Sequence, residues 1–219
     1  MTKNDDSLAN YQSKYCYLDS EVLLNNYNVT DQETLDVIER RVSALMLTKI
    51  QMREIPDVQV LFSIDYICQL HKEIFEHVYH FAGKIRRENI TKGNTPFCRP
   101  EFIVENLTNI LKKMKKDIHE LKDKDDIVHF LAYYYAELNI IHPFREGNGR
   151  LMREYLRQIV VLLKENYDLN YDLNFSNVDE LDKKNLMNGS IISAMTGELE
   201  YLEKFFDSTL KDKNKNFKR

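Results

Sequence analysis

Residues 142–150, HPFREGNGR, bring together the residue types that phosphate chemistry uses. The stretch holds two of the chain's six glycines, together with a histidine, a carboxylate and two arginines. A side chain whose pKa lies near neutrality can take a proton from an attacking hydroxyl, so His142 is the candidate general base. A loop that only turned the chain would need a glycine and little else, and this plainer alternative leaves the charged side chains unexplained.

The glycine spacing predicts an anion-binding loop at the start of a helix. Gly147 and Gly149 lack a Cβ atom, so a ligand can approach the backbone closely and the chain can adopt a positive φ. The first N–H groups of the following helix have no intrahelical acceptor and lie at the positive end of its dipole, which suits phosphate. Asn148 can donate a further hydrogen bond to a phosphate oxygen without adding charge.

Charged residues complete this candidate site. Arg150 and Arg153 are three residues apart, so on a helix they share a face, and two guanidinium groups suit a polyphosphate. Glu146 fits a phosphate site if a Mg²⁺ ion joins it to phosphate oxygens, since Mg²⁺ is typically held by one or two carboxylates plus phosphates. Phe144 alternates with polar residues and is predicted to point into the core. The residues therefore predict a Mg²⁺–polyphosphate site with a general base beside it.

Two helices must hold this loop. Pro143 disfavours helical backbone at His142, which predicts the end of an apolar helix over about 126–141, and helical spacing resumes over about 148–165. Further helices are predicted where apolar residues recur at helical spacing: 31–50, 63–79, 101–122 and, as two helices, 176–210. Caps are predicted at Thr30 or Asp31, at Ser63 and at Ser176. The predicted apolar stripes include Leu45 and Val104.

One region interrupts the helical pattern. Residues 83–98, with a Lys-Gly-Asn turn signal at 92–94, predict a short β-hairpin or an extended loop. We find neither a repeat nor a linker, so a single mostly helical domain over 21–210 is expected, with an N-terminal extension over 1–20 and a polar tail over 211–219.

Composition narrows the class of protein. The formal net charge of −4 argues against a broad nucleic-acid-binding surface, so no direct nucleic-acid partner is expected. Cys16, Cys68 and Cys98 have no close spacing and predict reduced thiols, and His71 carries no signal. The N-terminus has no apolar signal segment, and no run approaches the ~18 apolar residues that span a bilayer. We expect a cytoplasmic protein without a membrane partner, or one exported by a route that the sequence does not show.

A family resemblance joins these features. HPFREGNGRLMR, residues 142–153, resembles the signature of Fic-domain proteins, H-x-F-x-[D/E]-G-N-[G/K]-R-x-x-R, at every defined position. Residues 73–94 resemble the family segment F-x-x-[VI]-Y-x-[FW]-A-G-x-x-R and the flap after it, and residues 25–39 resemble the entry to the first family helix. The similarity covers about residues 20–210. It implies an all-α, Fic-type helical bundle with a small β-hairpin flap over the active site.

The resemblance also implies an activity. Most members with this form of the motif transfer AMP from ATP to a hydroxyl of a target protein. His142 would deprotonate a Tyr, Ser or Thr, which attacks the α-phosphorus and expels pyrophosphate, while Glu146 would hold Mg²⁺. The flap, about 85–98, would align the target segment. Members that phosphorylate resemble the pattern with Lys in place of Gly149, so transfer of a nucleotide monophosphate is expected. Some relatives use other donors, and ATP is the default donor here. The remaining motif residues are assigned to the nucleotide: Arg145, Gly147, Asn148, Gly149, Arg150 and Arg153.

The resemblance bears on regulation as well. Many members are held inactive by a helix with [S/T]-x-x-x-E-[G/N], whose Glu pairs with the second motif arginine, here Arg153. Residues 176–180 and 196–200 match only its first part, and the latter are expected where two C-terminal helices join. The chain thus resembles the toxin-like single-domain members, and a separate antitoxin is expected. Two alternatives stay open: a non-catalytic regulatory module that binds nucleotide or a partner, and a de-AMPylase on the same site. The intact His142 speaks against the first, and the missing inhibitory Glu against the second.

Overall fold

A computed structural model describes residues 13–92, 95–167, 169–176 and 178–213 of the chain. Within these residues the backbone is mostly helical, which confirms the predicted fold class. The α-helices are α1 (Gln32–Gln51), α2 (Val58–Leu61), α3 (Ile64–Phe75), α4 (Ile103–Asp117), α5 (Lys124–Ile141), α6 (Asn148–Tyr167), α7 (Glu180–Thr196) and α8 (Glu200–Thr209). Short 3₁₀ turns flank α4 at Pro100–Phe102 and Ile118–Glu120.

Side-chain caps set several of the helix starts. Asp31 caps α1 and Ser63 caps α3, each accepting a hydrogen bond from the backbone N–H three residues further on, as predicted. The cap predicted at Ser176 is wrong, because Asp179 caps α7 in a capping box with Asp182. The helix predicted over 63–79 ends at Phe75.

Helix α5 lies at the centre of the core. It packs against α4, α6, α7 and α8, and its buried residues are not confined to one face. The stripes of α3 and α6 are buried as predicted, and Phe144 is fully buried. The predicted burial of Leu45 and Val104 is wrong, because both side chains are exposed.

Two small antiparallel sheets complete the described part of the fold. In the predicted hairpin region, β1 (Thr91–Lys92) pairs with β2 (Thr95–Pro96), and the turn residues 93–94 lie outside the described residues. The second sheet pairs β3 (Tyr171–Leu173) with β4 (Leu210–Asp212). Strand β4 includes Lys211 and Asp212 from the stretch expected to form a polar tail. It is anchored because Leu210 and its partner Leu173 are buried.

The segment before α1 packs on the region that precedes the hairpin. Ser13 Oγ donates to Glu88 at 2.7 Å, and the Tyr15 ring meets the edge of Phe81. All three cysteines are free, as predicted. Among the described residues, no helix combines the length and the apolar character that crossing a membrane requires.

Candidate active site

The loop between α5 and α6 turns sharply at both ends. His142 adopts a left-handed conformation, with φ 45° and ψ 63°, and its backbone N–H donates to the Leu138 carbonyl to close α5. At the other end, Gly147 has φ 83°, and a Cβ there would lie 2.3 Å from the Phe75 ring. Glycine is therefore required at 147 for both conformation and space. Gly149 lies inside α6 and does not use the positive φ that glycine allows.

Two contacts hold the His142 ring, one at its edge and one on its face. Its Nδ1 lies 3.1 Å from the Asn139 carbonyl oxygen, and the ring stacks on Phe97 with centroids 3.8 Å apart. A carbonyl only accepts hydrogen bonds, so Nδ1 carries the proton and the lone pair of the neutral ring is on Nε2. This tautomer is the one that a general base needs. Phe97, which follows β2, is a site residue that the sequence analysis missed.

A buried histidine holds the middle of the loop. His71 accepts a hydrogen bond from the Gly83 N–H on Nδ1, and its Nε2 donates to the Glu146 carbonyl, each at 2.9 Å. Its ring stacks on Phe144 at 3.8 Å. Burial lowers the pKa of His71 to about 4, so the ring is neutral. The sequence analysis assigned no signal to His71, and only its helical neighbours at buried positions hinted that it faces inward.

A buried arginine clamps the end of α5 to the hairpin region. Arg86, the arginine of the second family segment, is almost fully buried, and burial lowers its pKa. Its guanidinium donates to four backbone carbonyls, those of Glu88, Cys98, Ile141 and His142. The Arg86 N–H also donates to the Pro143 carbonyl at 2.9 Å. Its position in the sequence indicated family likeness but not this role.

Glu146 supplies the carboxylate of the cleft. Its Oε1 accepts a hydrogen bond from the Gly147 N–H at 2.8 Å. Burial raises the pKa of Glu146, and the Glu39 carboxylate raises it further, while Arg150 and Arg145 oppose the shift. Negative charge at Glu146 is therefore incompletely balanced. Because a single carboxylate beside a phosphate-binding helix start is a donor set that Mg²⁺ uses, the residues present fit this ion.

Asn148 closes the loop on itself. Its Oδ1 accepts from the Phe144 N–H at 3.0 Å, and its Nδ2 donates to the Phe144 carbonyl at 2.8 Å. The expected side-chain bond from Asn148 to a phosphate is thus replaced by a structural one. The backbone N–H groups at the start of α6 are the groups that could bind an anion instead.

The two motif arginines of α6 do not lie together. Arg153 lines the cleft, as does Arg145 of the loop. Arg150 points towards α1, where it forms an ion pair with Glu39 and donates to Ser43 Oγ. The expectation that the two side chains share a face is therefore wrong for Arg150, because the largely buried Glu39 carboxylate on α1 holds its guanidinium. The assignment of Arg150 to the nucleotide stays a prediction.

The loop and the start of α6 line a cleft of about 680 Å³ with His142, Arg145, Glu146, Asn148, Gly149 and Arg153. The hairpin region forms one wall with Ile90, Thr91 and Phe97, and the loop and α6 form the floor. The opposite wall comes from the C-terminal part of the chain, which the sequence analysis did not connect with the site. That wall is largely apolar: Phe175, Val178, Leu186, Met187 and Phe205.

The glutamates of the two partial inhibitory motifs, Glu180 and Glu200, do not line the cleft. Glu180 pairs with Lys183, and Glu200 pairs with Lys204; their side chains are 91% and 72% exposed. As predicted, residues 196–200 lie where α7 and α8 join.

The helical bundle, the small hairpin and the cleft at the α5–α6 loop define the Fic type of fold. Residues 61–160 match the family model described as the Fic/DOC family. A probable protein adenylyltransferase, y4lH of Sinorhizobium fredii, is 32% identical over 146 residues, which are 66% of this chain and 73% of the relative. The chain belongs to the Fic/DOC family.

Two further comparisons extend over nearly the whole chain. The probable protein adenylyltransferase Fic of Escherichia coli is 22% identical over 208 residues, covering 94% of this chain and 96% of the relative. The crystal structure of the BepC protein of Bartonella tribocorum, with bound AMPPNP, superposes with a TM-score of 0.76 at 18% identity, covering 91% of this chain and 97% of that one. The Fic-type bundle expected from the sequence is thereby confirmed.

Proposed function

We propose that the protein is a protein adenylyltransferase, which transfers AMP from ATP to a Tyr, Ser or Thr hydroxyl of a target protein and releases pyrophosphate. Curated relatives carry the name protein adenylyltransferase. The observation that carries the proposal is the His142 ring. Its Nδ1 bond to the Asn139 carbonyl leaves the basic lone pair on Nε2, and the ring lines a cleft that ends at a helix start.

The chemistry follows from this arrangement. His142 Nε2 takes the proton of the target hydroxyl as the hydroxyl oxygen attacks the α-phosphorus. A new phosphorus–oxygen bond forms to the target, and the bond to the pyrophosphate oxygen breaks. Backbone N–H groups at the start of α6, at Asn148 and Gly149, donate to the phosphate oxygens whose negative charge they stabilise. Arg145 and Arg153 bind the remaining phosphates, since both line the cleft.

Glu146 would hold the Mg²⁺ ion, which neutralises phosphate charge when it is bound. The buried Glu146 carboxylate has a raised pKa, so a cation beside it would relieve its unbalanced charge. The Arg150 side chain is not among the proposed nucleotide contacts, because it is paired with Glu39.

The target segment is proposed to dock along residues 85–98, where β1 and β2 offer short strand edges beside the cleft. Restraint is proposed to come from a separate antitoxin, because Glu180 and Glu200 are exposed and paired with lysines rather than with Arg153.

The test is incubation with α-labelled ATP, Mg²⁺ and a bacterial lysate, with His142→Ala beside the unsubstituted protein. His129→Ala is the matched control, since His129 is exposed and pairs with Glu203 away from the cleft. Label on a protein band, lost on His142→Ala and kept in the control, supports the proposal. ATP binding without label transfer supports a regulatory module instead. Release of AMP from a premodified target supports a de-AMPylase.

A further inference from the structure

Glu39 of α1 lies in a buried polar cluster at the start of α6. One carboxylate oxygen, Oε1, accepts from Arg150 Nη2, and the other, Oε2, accepts from the Tyr79 hydroxyl. Arg150 Nη1 donates to Ser43 Oγ at 2.9 Å, one turn further along α1. The side chains of Glu39 and Arg150 are only 12% and 23% exposed. The cluster therefore connects α1, the segment after α3 and the first turn of α6.

Hydrogen bonds join the side chains of the cluster to one another and to the backbone of α1. Burial, with the Glu39 carboxylate adding to it, raises the pKa of Tyr79, so its hydroxyl stays protonated and donates. The Ser43 hydroxyl accepts from Arg150 and donates to the Arg40 carbonyl. Turning the Arg150 guanidinium into the cleft would leave the largely buried Glu39 carboxylate without its cation, which is unfavourable.

The same arginine touches the part of the loop that binds anions. The Arg150 guanidinium lies over the Phe75 ring, 4.9 Å from its centroid. Gly147 packs so closely on that ring that a Cβ there would lie 2.3 Å from it. Arg150 also belongs to the first turn of α6, whose residues Asn148 and Gly149 line the cleft. A shift of its side chain would therefore move the phosphate-binding backbone.

We propose that Glu39 is a positioning residue, which holds Arg150 as a structural anchor that sets the start of α6, and that Arg150 is not a phosphate ligand. The inference rests on the proposed nucleotide transfer. Phosphate contact falls to the backbone of the first turn, to Arg153 and to Arg145. Removing a residue that holds catalytic groups in position lowers the reaction rate, even though that residue does not touch the substrate.

Neutralising Glu39 and Arg150, singly and together, tests whether Arg150 is a structural anchor. Arg150→Gln leaves Glu39 buried without a cation, and Glu39→Gln leaves Arg150 without its anion, so each single variant is expected to lower kcat by about tenfold or more. The double variant Glu39→Gln/Arg150→Gln contains no unpaired charge, and the amide oxygen introduced on α1 can still accept from the Tyr79 hydroxyl. It is expected to recover most of the lost rate, with the KM for ATP within about threefold of the unsubstituted value throughout.

Two comparisons make the result specific. Arg153→Gln removes a proposed phosphate ligand and is expected to raise the KM for ATP by about tenfold or more. Arg157→Gln breaks a second ion pair of α6, which joins Arg157 to the buried Glu154. Neither residue lines the cleft. This variant is expected to lower the Tm and to leave the kcat of the folded protein unchanged.

The assignment fails if the KM for ATP in the double variant rises as it does in Arg153→Gln, because Arg150 would then be a ligand. It also fails if Glu39→Gln raises the rate, since Glu39 would then be restraining Arg150, or if the single variants keep full kcat. Transfer by the unsubstituted protein tests the proposed function separately. If that protein binds ATP without transferring label, the proposed function fails while ATP affinities of the same variants, measured by calorimetry, still decide whether Arg150 is a ligand.

Discussion

Two neighbours orient the ring of His142, the proposed general base. The Asn139 carbonyl selects the tautomer, and the Phe97 ring restrains the plane of the imidazole. The Asn139 contact is local, from three residues earlier in the chain, whereas Phe97 lies far from His142 in the sequence and reaches it only through the fold of the hairpin region. At the residue scale, the sequence indicated which loop residues line the cleft, and it did not indicate the Phe97 contact that orients His142.

The stacking contact can be tested directly. Phe97→Ala removes the ring that lies 3.8 Å from His142, so the imidazole gains freedom, and kcat is expected to fall by about tenfold. Phe102→Ala is the control, because Phe102 is an exposed phenylalanine of the same region. Initial rates of label transfer, taken with melting curves, measure both. Equal rates for the two variants would show that the stacking does not position the base.

The buried His71 predicts a pH dependence of stability. Its pKa is about 4 in the folded protein and ordinarily 6.5, so the unfolded chain binds the additional proton between these values. The contribution of His71 to the free energy of unfolding is complete above pH 6.5 and is lost as the pH falls towards 4. The shift corresponds to about 3 kcal/mol in the free energy of unfolding.

His71→Gln separates this effect from that of carboxylates titrating in the same range. Glutamine can accept from the Gly83 N–H and donate to the Glu146 carbonyl, but it does not titrate in this range. Urea unfolding at several pH values, in the presence of a chelator, is expected to give a shallower loss of stability for His71→Gln between pH 6.5 and 4. Parallel curves for the two proteins would contradict the assignment.

At the scale of elements, the one-sided helices and the hairpin region were predictable, and the strands β3 and β4 were not. In α3 and α6, apolar residues recur on one face because that face meets the core, so their periodicity was sufficient. The strands β3 and β4 have three residues each and are far apart in the sequence, so neither carries a periodic signal. The pairing joins β4 to β3, and β3 leads into the apolar wall of the cleft.

Removing β4 is expected to weaken both fold and site. Deletion of residues 210–219 removes the buried Leu210 and leaves Leu173 without its strand partner. We expect a lower Tm and weaker ATP binding, because β3 precedes Phe175 and α8 carries Phe205, which both line the cleft. Deletion of residues 214–219 alone, which keeps β4, is the control. If the two deletions behave alike in melting and calorimetry, β4 does not support the wall.

Across the whole molecule, the cleft lies between the hairpin region and a C-terminal wall, and Arg153 faces it. The family signature indicated the floor of this site, while the C-terminal wall emerged only from tertiary packing of residues without a motif. The two acidic residues of the partial inhibitory motifs, Glu180 and Glu200, lie in solvent. No internal restraint of Arg153 by these residues is therefore expected.

This expectation has a simple test. Glu180→Ala and Glu200→Ala are each expected to change the rate of label transfer by less than about twofold, because each removes only an exposed ion pair. Rates are compared at equal concentrations of folded protein. Activation of several-fold in either variant would mean that its glutamate restrains the site in solution.

The central claim concerns which phosphate is transferred. Parallel reactions with ATP labelled at the α-phosphate or at the γ-phosphate, with the target captured and its added mass measured, test it most directly. Adenylyl transfer predicts that the α-label appears on the target with the mass of one AMP, that the γ-label leaves in pyrophosphate, and that His142→Ala abolishes the signal. Appearance of the γ-label on the target, or undiminished α-label with His142→Ala, would contradict the assigned reaction or the assigned base.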